Sequence, residues 1–343
     1  MSEADRAKLV ANADDHREKT EAVYRLLSGD CLPTDFELAL PPRQYQKIPA
    51  SIVLHTGSLL LADELGLGKT VSAICCFTDK RTIPALVVTL TSLPIQWAEM
   101  IQRFAPNLRT HIIRSTKPYD LRLHRPKKGA RLVEGPFPDV IITSYSKLAG
   151  WGDTLSGMCR MVVFDEIQEL HLSDSDKYVG AKQIANGADY RLGLSGTPVI
   201  NYGGEIYNVL DVVQPYCLGD REEFSRDWCK SDGRKLSVKE PRVLGHFLRE
   251  QGVMLRRTRE EVGRELPALT RVIHHVESDM AALEKVETVA AELARTILTQ
   301  QGVKGWDKLK ASEELTYLLR QATGLAKAPY VAEFVRMLLE QDE

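Results

Sequence analysis

Nowhere in the 343 residues does an apolar run approach the ~18 residues that a membrane-spanning helix requires. The N-terminal stretch MSEADRAKLVANADDHREK also lacks the apolar core of a signal peptide. Six cysteines are present, yet none forms a C-x-x-C pair or a zinc-like spacing, which argues against a disulfide framework and a structural zinc site. Neither sign of charge dominates, since 45 Lys and Arg against 47 Asp and Glu leave a net charge of -2. A global attraction to polyanions is thereby excluded, and any contact with nucleic acid has to come from local patches. Internal repeats and low-complexity segments are missing as well. Together these absences predict a soluble, cytoplasmic protein with reduced thiols and no membrane partner.

What is present is a globular composition, 43% hydrophobic and 27% charged, long enough for about two domains at ~150 residues each. Residues 1–38 read as a helical N-terminal extension, with Val23, Leu26 and Leu27 at helical spacing and a break at Gly29, Asp30 and Pro33. From Leu40 to Pro198, the short apolar runs SLLLA, ALVVTL, DVIITS, MVVFDE and YRLGLSG alternate with amphipathic segments. That alternation predicts an α/β fold, a parallel sheet wound with helices. Residues 39–275 are assigned to this unit, which becomes mostly helical after Pro198, with one alternating run, TRVIHHVES, before a charged stretch from Met280. Residues 276–343 form a helical C-terminal segment, with Val286, Ala290, Leu293 and Ile297, then Leu315, Leu318 and Leu319, at helical spacing.

The stretch DELGLGKT follows the first apolar run and precedes a segment able to form a helix. Gly66 and Gly68 allow a tight turn that points successive amides at phosphate oxygens, Lys69 reaches the β and γ phosphates, and Thr70 ligands Mg²⁺. The nucleotide-binding segment therefore runs through Asp63, Glu64, Leu65, Gly66, Leu67, Gly68, Lys69, Thr70 and Val71. Asp63 stands where the usual pattern has glycine, a departure that leaves the phosphate chemistry intact. MVVFDEIQEL sets Asp165 and Glu166 at the end of a buried strand about 95 residues after Lys69. There Asp165 would hold Mg²⁺ and Glu166 would orient the water attacking the γ phosphate.

Beyond these two motifs, LPPRQYQ, VVTLTSLPIQWAEMIQRFAP, DVIITSYSKL, LGLSGTPVIN and MLRRTREEVGRELP occur in an order that resembles superfamily-two helicases, specifically Swi/Snf-type DNA-dependent ATPases. Compactness adds a resemblance to small bacterial or bacteriophage members. The resemblance implies a RecA-like, P-loop sheet using ATP and Mg²⁺. It also implies that Gln46 reads adenine, that Arg43 and Tyr45 flank the base, and that Ser195, Gly196 and Thr197 couple the nucleotide site to a DNA track, with Gln168 facing them. Most relatives carry His at position 168. DNA contacts are implied at Thr91 and Ser92, which open the helix beginning at Pro94, and at Ser144, Tyr145 and Lys147 after the next strand.

Trp97, at helical spacing with Ile101 and Phe104, reads as core. The segment from Arg114 to Arg131 holds seven Lys or Arg and one acid, and Arg125, Lys127 and Lys128 within it are expected to meet phosphates. EEVGRELP departs from the second-lobe pattern Q-x-x-G-R-x-x-R at Glu260 and Pro267 and reads as a helical segment, so Arg264 is no arginine finger.

The expected function is thus an ATP-binding motor lobe that translocates on or remodels double-stranded DNA, its hydrolysis completed by a second RecA-like lobe of a longer protein. Rival readings are a strand-separating or branch-remodelling helicase, a nucleotide-gated DNA-binding module with little turnover, and a small-molecule kinase, the last disfavoured by the motifs after the phosphate loop.

Overall fold

The structure, a computed structural model, describes residues 3–124, 133–198, 203–232, 235–263, 290–292, 294 and 305–341. It divides into two compact units, Met1–Leu266 and Pro267–Glu343. The first unit opens with α1 (Glu3–Ser28), α2 (Gln44–Thr56), β1 (Ser58–Leu61), α3 (Lys69–Phe77), β2 (Ala85–Thr89), α4 (Pro94–Phe104) and β3 (Thr110–Ile112). A short hairpin follows, β4 (Leu123–His124) with β5 (Val133–Glu134), then β6 (Val140–Ser144), α5 (Leu148–Leu155), β7 (Met161–Asp165), α6 (Asp176–Asn186) and β8 (Tyr190–Leu194). The unit closes with α7 (Gly204–Val213), α8 (Arg221–Trp228), the hairpin β9 (Cys229–Asp232) and β10 (Lys235–Val238), α9 (Pro241–Glu250) and β11 (Met254–Leu255). In the second unit, α10 (Gly305–Gln341) contains Leu315, Leu318 and Leu319.

All five predicted apolar runs are strands of one seven-stranded parallel sheet, in the order β11-β1-β8-β7-β2-β6-β3. Because helices cover both faces, the strands read as continuous apolar runs rather than alternating ones. On one face Leu60, Leu86, Val88, Ile141, Val162 and Phe164 pack under α5, α6, α7 and α9. On the other, Leu59, Leu61, Val87, Ile142, Val163 and Leu194 pack under α1 to α4. Each such side chain is nearly inaccessible, and burying it contributes about 1.5–3 kcal/mol. Val23 and Leu26 seat α1 against that second face, so the N-terminal extension belongs to the core of the first unit.

One expectation is corrected. The chain after Pro198 was expected to be mostly helical, but Met254 and Leu255 form the edge strand β11, paired in parallel with Leu60 and Leu61. Two parallel bonds are too short a signal for periodicity to show. TRVIHHVES, Arg264, Pro267, Val286, Leu293 and Ile297 lie outside the described residues. Among those described, no helix is long and apolar enough to cross a membrane, and all six cysteines are free thiols.

Candidate active site

The phosphate loop bridges the carboxyl end of β1 and the first turn of α3. Gly66 and Gly68 have φ values of 86° and 77°, a region that favours glycine. At Gly68 a Cβ would also lie 2.4 Å from Nε2 of Gln46. Gln46 is 7% exposed and works as a brace: its Oε1 accepts from the Arg43 N–H (3.0 Å) and its Nε2 donates to the Leu67 carbonyl (3.1 Å). The start of α2 is thereby tied to the loop.

Lys69 Nζ donates to the Asp63 carbonyl at 2.7 Å. Burial holds its pKa below the ordinary lysine value, while the carboxylates of Asp63, Glu166 and Asp165 oppose that shift. The phosphate-loop lysine and the acidic pair, distant in sequence, therefore share one site, since β1 and β7 both flank β8.

Asp165 ends β7. Its Oδ2 accepts from the Trp97 Nε1–H (2.8 Å) and from the Thr89 hydroxyl (3.0 Å). Burial raises its pKa, and those two donors only partly offset the effect. Thr70, Trp97 and Asp165 line one small cavity of about 100 Å³. A hydroxyl and a half-buried carboxylate around such a space suit Mg²⁺, which takes one or two protein oxygens and completes its shell with water and phosphate. Among the described residues no group of three or more His, Cys, Asp and Glu could hold a metal by itself.

Glu166 adopts φ 52° and ψ 52°. For a residue with a Cβ this left-handed conformation costs about 1–2 kcal/mol. Its Oε2 accepts from Gln168 Nε2 at 2.5 Å, while Gln168 Oε1 is buried with no hydrogen-bond partner. At the end of β8, Ser195 N–H bonds the Leu61 carbonyl (3.1 Å), and a Cβ on Gly196 would lie 2.9 Å from Leu65 Cδ2. Gly196 thus lies against the phosphate loop, with Ser195 and exposed Thr197 on either side of it in the chain.

The structure also shows what Asp63 does. Its carboxylate, on a residue 2% exposed, accepts from Arg257 Nε (3.1 Å), Nη2 (2.5 Å) and backbone N–H (3.0 Å). Arg257 Nη1 donates to the Tyr45 carbonyl at 2.8 Å, and the guanidinium lies 5.7 Å from the Tyr45 ring centre. Two residues on, the Arg259 N–H bonds the Glu64 carboxylate (2.8 Å) and Arg259 Nε bonds the Leu65 carbonyl (2.9 Å). Residues 257–259 therefore strap the loop from outside. Sequence reasoning missed Arg257, Arg259 and Thr89, and it saw only packing in Trp97.

Of the expected DNA contacts, Thr91 and Ser92 are exposed just before α4, whose N-terminus has no side-chain cap. Ser144 and Tyr145 correct the expectation. Ser144 is 0% and Tyr145 5% exposed, and the Tyr145 hydroxyl donates to the Asp165 carbonyl at 2.9 Å. The final strand residue and the first residue of the 3₁₀ turn after it point inward, where the tyrosine fixes the end of β7. Lys147 is half-buried with Nζ on the Ser144 hydroxyl (2.9 Å). Arg125, Lys127 and Lys128 lie outside the described residues.

Comparison with known proteins follows the same lines. The chain is 27% identical over 301 residues to SWI/SNF-related matrix-associated actin-dependent regulator of chromatin subfamily A-like protein 1 of Xenopus tropicalis, covering 84% of this chain and 29% of that protein. It is 28% identical over 214 residues to an uncharacterised ATP-dependent helicase of Mycoplasma genitalium, covering 61% of this chain and 19% of that one. The chain thus spans under a third of either relative. A solved Sulfolobus solfataricus SWI2/SNF2 ATPase core in complex with double-stranded DNA shares the fold, with a TM-score of 0.55 and 21% identity over 91% of this chain and 67% of that chain. The SNF2-related domain matches residues 23–323, which is most of the sequence, and this chain belongs to that family.

Proposed function

We propose that the chain is the ATP-binding motor lobe of a DNA-dependent ATPase that translocates on or remodels double-stranded DNA. The observation that carries this reading is the meeting of Lys69 and Thr70, at the start of α3, with Asp165 and Glu166, at the end of β7, while Ser195 to Thr197 follow the intervening strand β8. The Mycoplasma relative is described as ATP-dependent and the Sulfolobus core was solved with duplex DNA, which supports nucleotide use and a DNA partner.

In this reading Lys69 leaves the Asp63 carbonyl for the β and γ phosphates, and the amides from Gly66 to Thr70 cradle them. Thr70 and Asp165 would hold Mg²⁺, which would supply neutralisation of phosphate charge. Glu166, oriented by Gln168, aligns water for in-line attack and accepts its proton. Leu65 of the loop is 59% exposed. A second RecA-like lobe of the same protein would close there and supply arginines, worth roughly 10³–10⁵ in rate in related phosphoryl transfers.

Phosphate release from ATP, measured for this chain with duplex, forked and single-stranded DNA, is the test. Slow turnover favouring duplex is expected. Preference for forks or single strands supports strand separation instead, and robust DNA-stimulated turnover by this chain alone removes the need for a second lobe.

A further inference from the structure

At the β11 edge of the sheet, beside the segment that straps the phosphate loop, lies a cavity of about 380 Å³ between α9 and the segment after β11. Arg242, His246 and Arg249 reach it from α9 at i, i+4 and i+7 spacing, one side of a helix. Arg256 closes the other side; alternation along the strand sends it away from Arg257, which turns inward to Asp63. All four of these basic side chains are exposed.

Elsewhere the exposed arginines of this unit commonly have acidic partners, as Arg81 has Asp79, Arg109 has Asp139 and Arg226 has Asp227. Among the described residues Arg242, Arg249 and Arg256 have none. Glu261, which also lines the cavity, is occupied in accepting from the Thr258 N–H at 2.6 Å. Three guanidiniums against the single carboxylate of Glu261, in a chain of net charge -2, leave a local excess of positive charge that favours an anion.

We infer that this groove binds the phosphodiester backbone of nucleic acid, as a contact separate from the track expected beside Thr91. The assignment rests on the DNA reading above. Arginine rather than lysine lines the groove, and the guanidinium fork matches phosphate oxygens in pairs. Gly245 sits among the arginines with open space where a Cβ would stand, so a backbone can approach α9 closely. The groove lies four strands from β2, about 19 Å at ~4.8 Å per strand, so a duplex held near Thr91 reaches it only by a second stretch of backbone.

The experiment is binding of a labelled DNA duplex to the 343-residue protein across a salt series. It compares the wild type, the triple variant Arg242→Ala, Arg249→Ala, Arg256→Ala, and a control neutralising Arg6, Lys80 and Arg103 to the same net charge. Loss of two or three phosphate contacts is expected to lower the slope of log K against log salt by about 2, at ~0.9 per phosphate, in the groove variant alone. Unchanged ATP-analogue binding and thermal melting show that the variant is folded. Equal slopes for the groove variant and the wild type overturn the groove while leaving the DNA reading intact. Equal losses in the groove variant and the control also overturn it, by showing a general field. A wild type that binds no duplex overturns both readings. If poly-glutamate binding is lost in the groove variant and duplex binding is not, the occupant is an acidic peptide and the phosphodiester assignment fails.

Discussion

Asp63 and Arg257, 194 residues apart, form a bidentate ion pair in which both residues are almost fully buried. The pair ties the first residues of the phosphate loop to the edge strand β11, and Arg257 in turn holds the Tyr45 carbonyl at the start of α2. Three segments around the phosphate loop are thus fixed by one guanidinium.

Removing only one partner leaves an uncompensated buried charge, so Arg257→Ala is expected to cost about 3–5 kcal/mol of stability. Asp63→Gly, which restores the more usual loop residue, is expected to destabilise as well, because it strands the arginine. The double variant Asp63→Asn, Arg257→Met replaces the pair with groups of similar volume and should recover most of the loss. Denaturant unfolding of the three proteins checks this; additive losses in the double variant would show that the two residues act independently.

Lys69→Ala is expected to weaken ATP binding and abolish turnover, because Lys69 is the cation set at the phosphate loop facing Asp165 and Glu166. Glu166→Gln keeps the donor to phosphate but loses the base, so binding survives and hydrolysis is lost. Nucleotide titration alongside single-turnover phosphate release separates the two effects. Normal hydrolysis by Glu166→Gln would assign the water-orienting role elsewhere.

The central strands and the phosphate loop are legible because their signals are local: apolar runs of four or five residues, two glycines before Lys-Thr, and an Asp-Glu pair at a strand end. Edge strands are not legible, since Met254 and Leu255 are too few to show a period and take their conformation from β1. The Arg257 partnership is a tertiary contact. A physical hint existed, for an aspartate immediately after a buried strand needs a cation, and MLRRTR offered several. Ser144 and Tyr145 were misplaced because a motif fixes neighbours along the chain, whereas the turn after β6 decides which of them faces out. Exposed Ser146 occupies the outward position.

Burial sets the pKa of Asp165 above its ordinary value of 3.8, so the folded state favours the protonated form. The stability this gives is fully present below the unfolded pKa and is lost as pH rises through the folded one. Asp165→Asn cannot ionise, and its melting temperature relative to wild type is therefore expected to climb with pH from about 4 upward and then level off. Mg²⁺ with an ATP analogue should reverse the order, since only the aspartate gains from the cation. A difference that shrinks with rising pH would mean that the Trp97 and Thr89 bonds outweigh burial.

Trp97 offers the closing test, because it holds two roles that one substitution can separate. Its ring is 3% exposed within the core under α4, while its indole N–H reaches Asp165 Oδ2 at 2.8 Å. Trp97→Phe retains much of the ring packing and deletes the donor. A hydrogen bond to a charged group is worth about 1.5–3 kcal/mol, so the carboxylate loses one of its two side-chain donors and the orientation that comes with it. Mg²⁺-dependent ATP-analogue binding is expected to weaken about tenfold or more, in line with ~1.4 kcal/mol per decade, while binding measured in EDTA stays near the wild-type value. Trp97→Leu should add a packing loss of about 2–5 kcal/mol that lowers the melting temperature. If Trp97→Phe weakens binding equally with and without Mg²⁺, the indole serves the fold alone and Asp165 is positioned by Thr89.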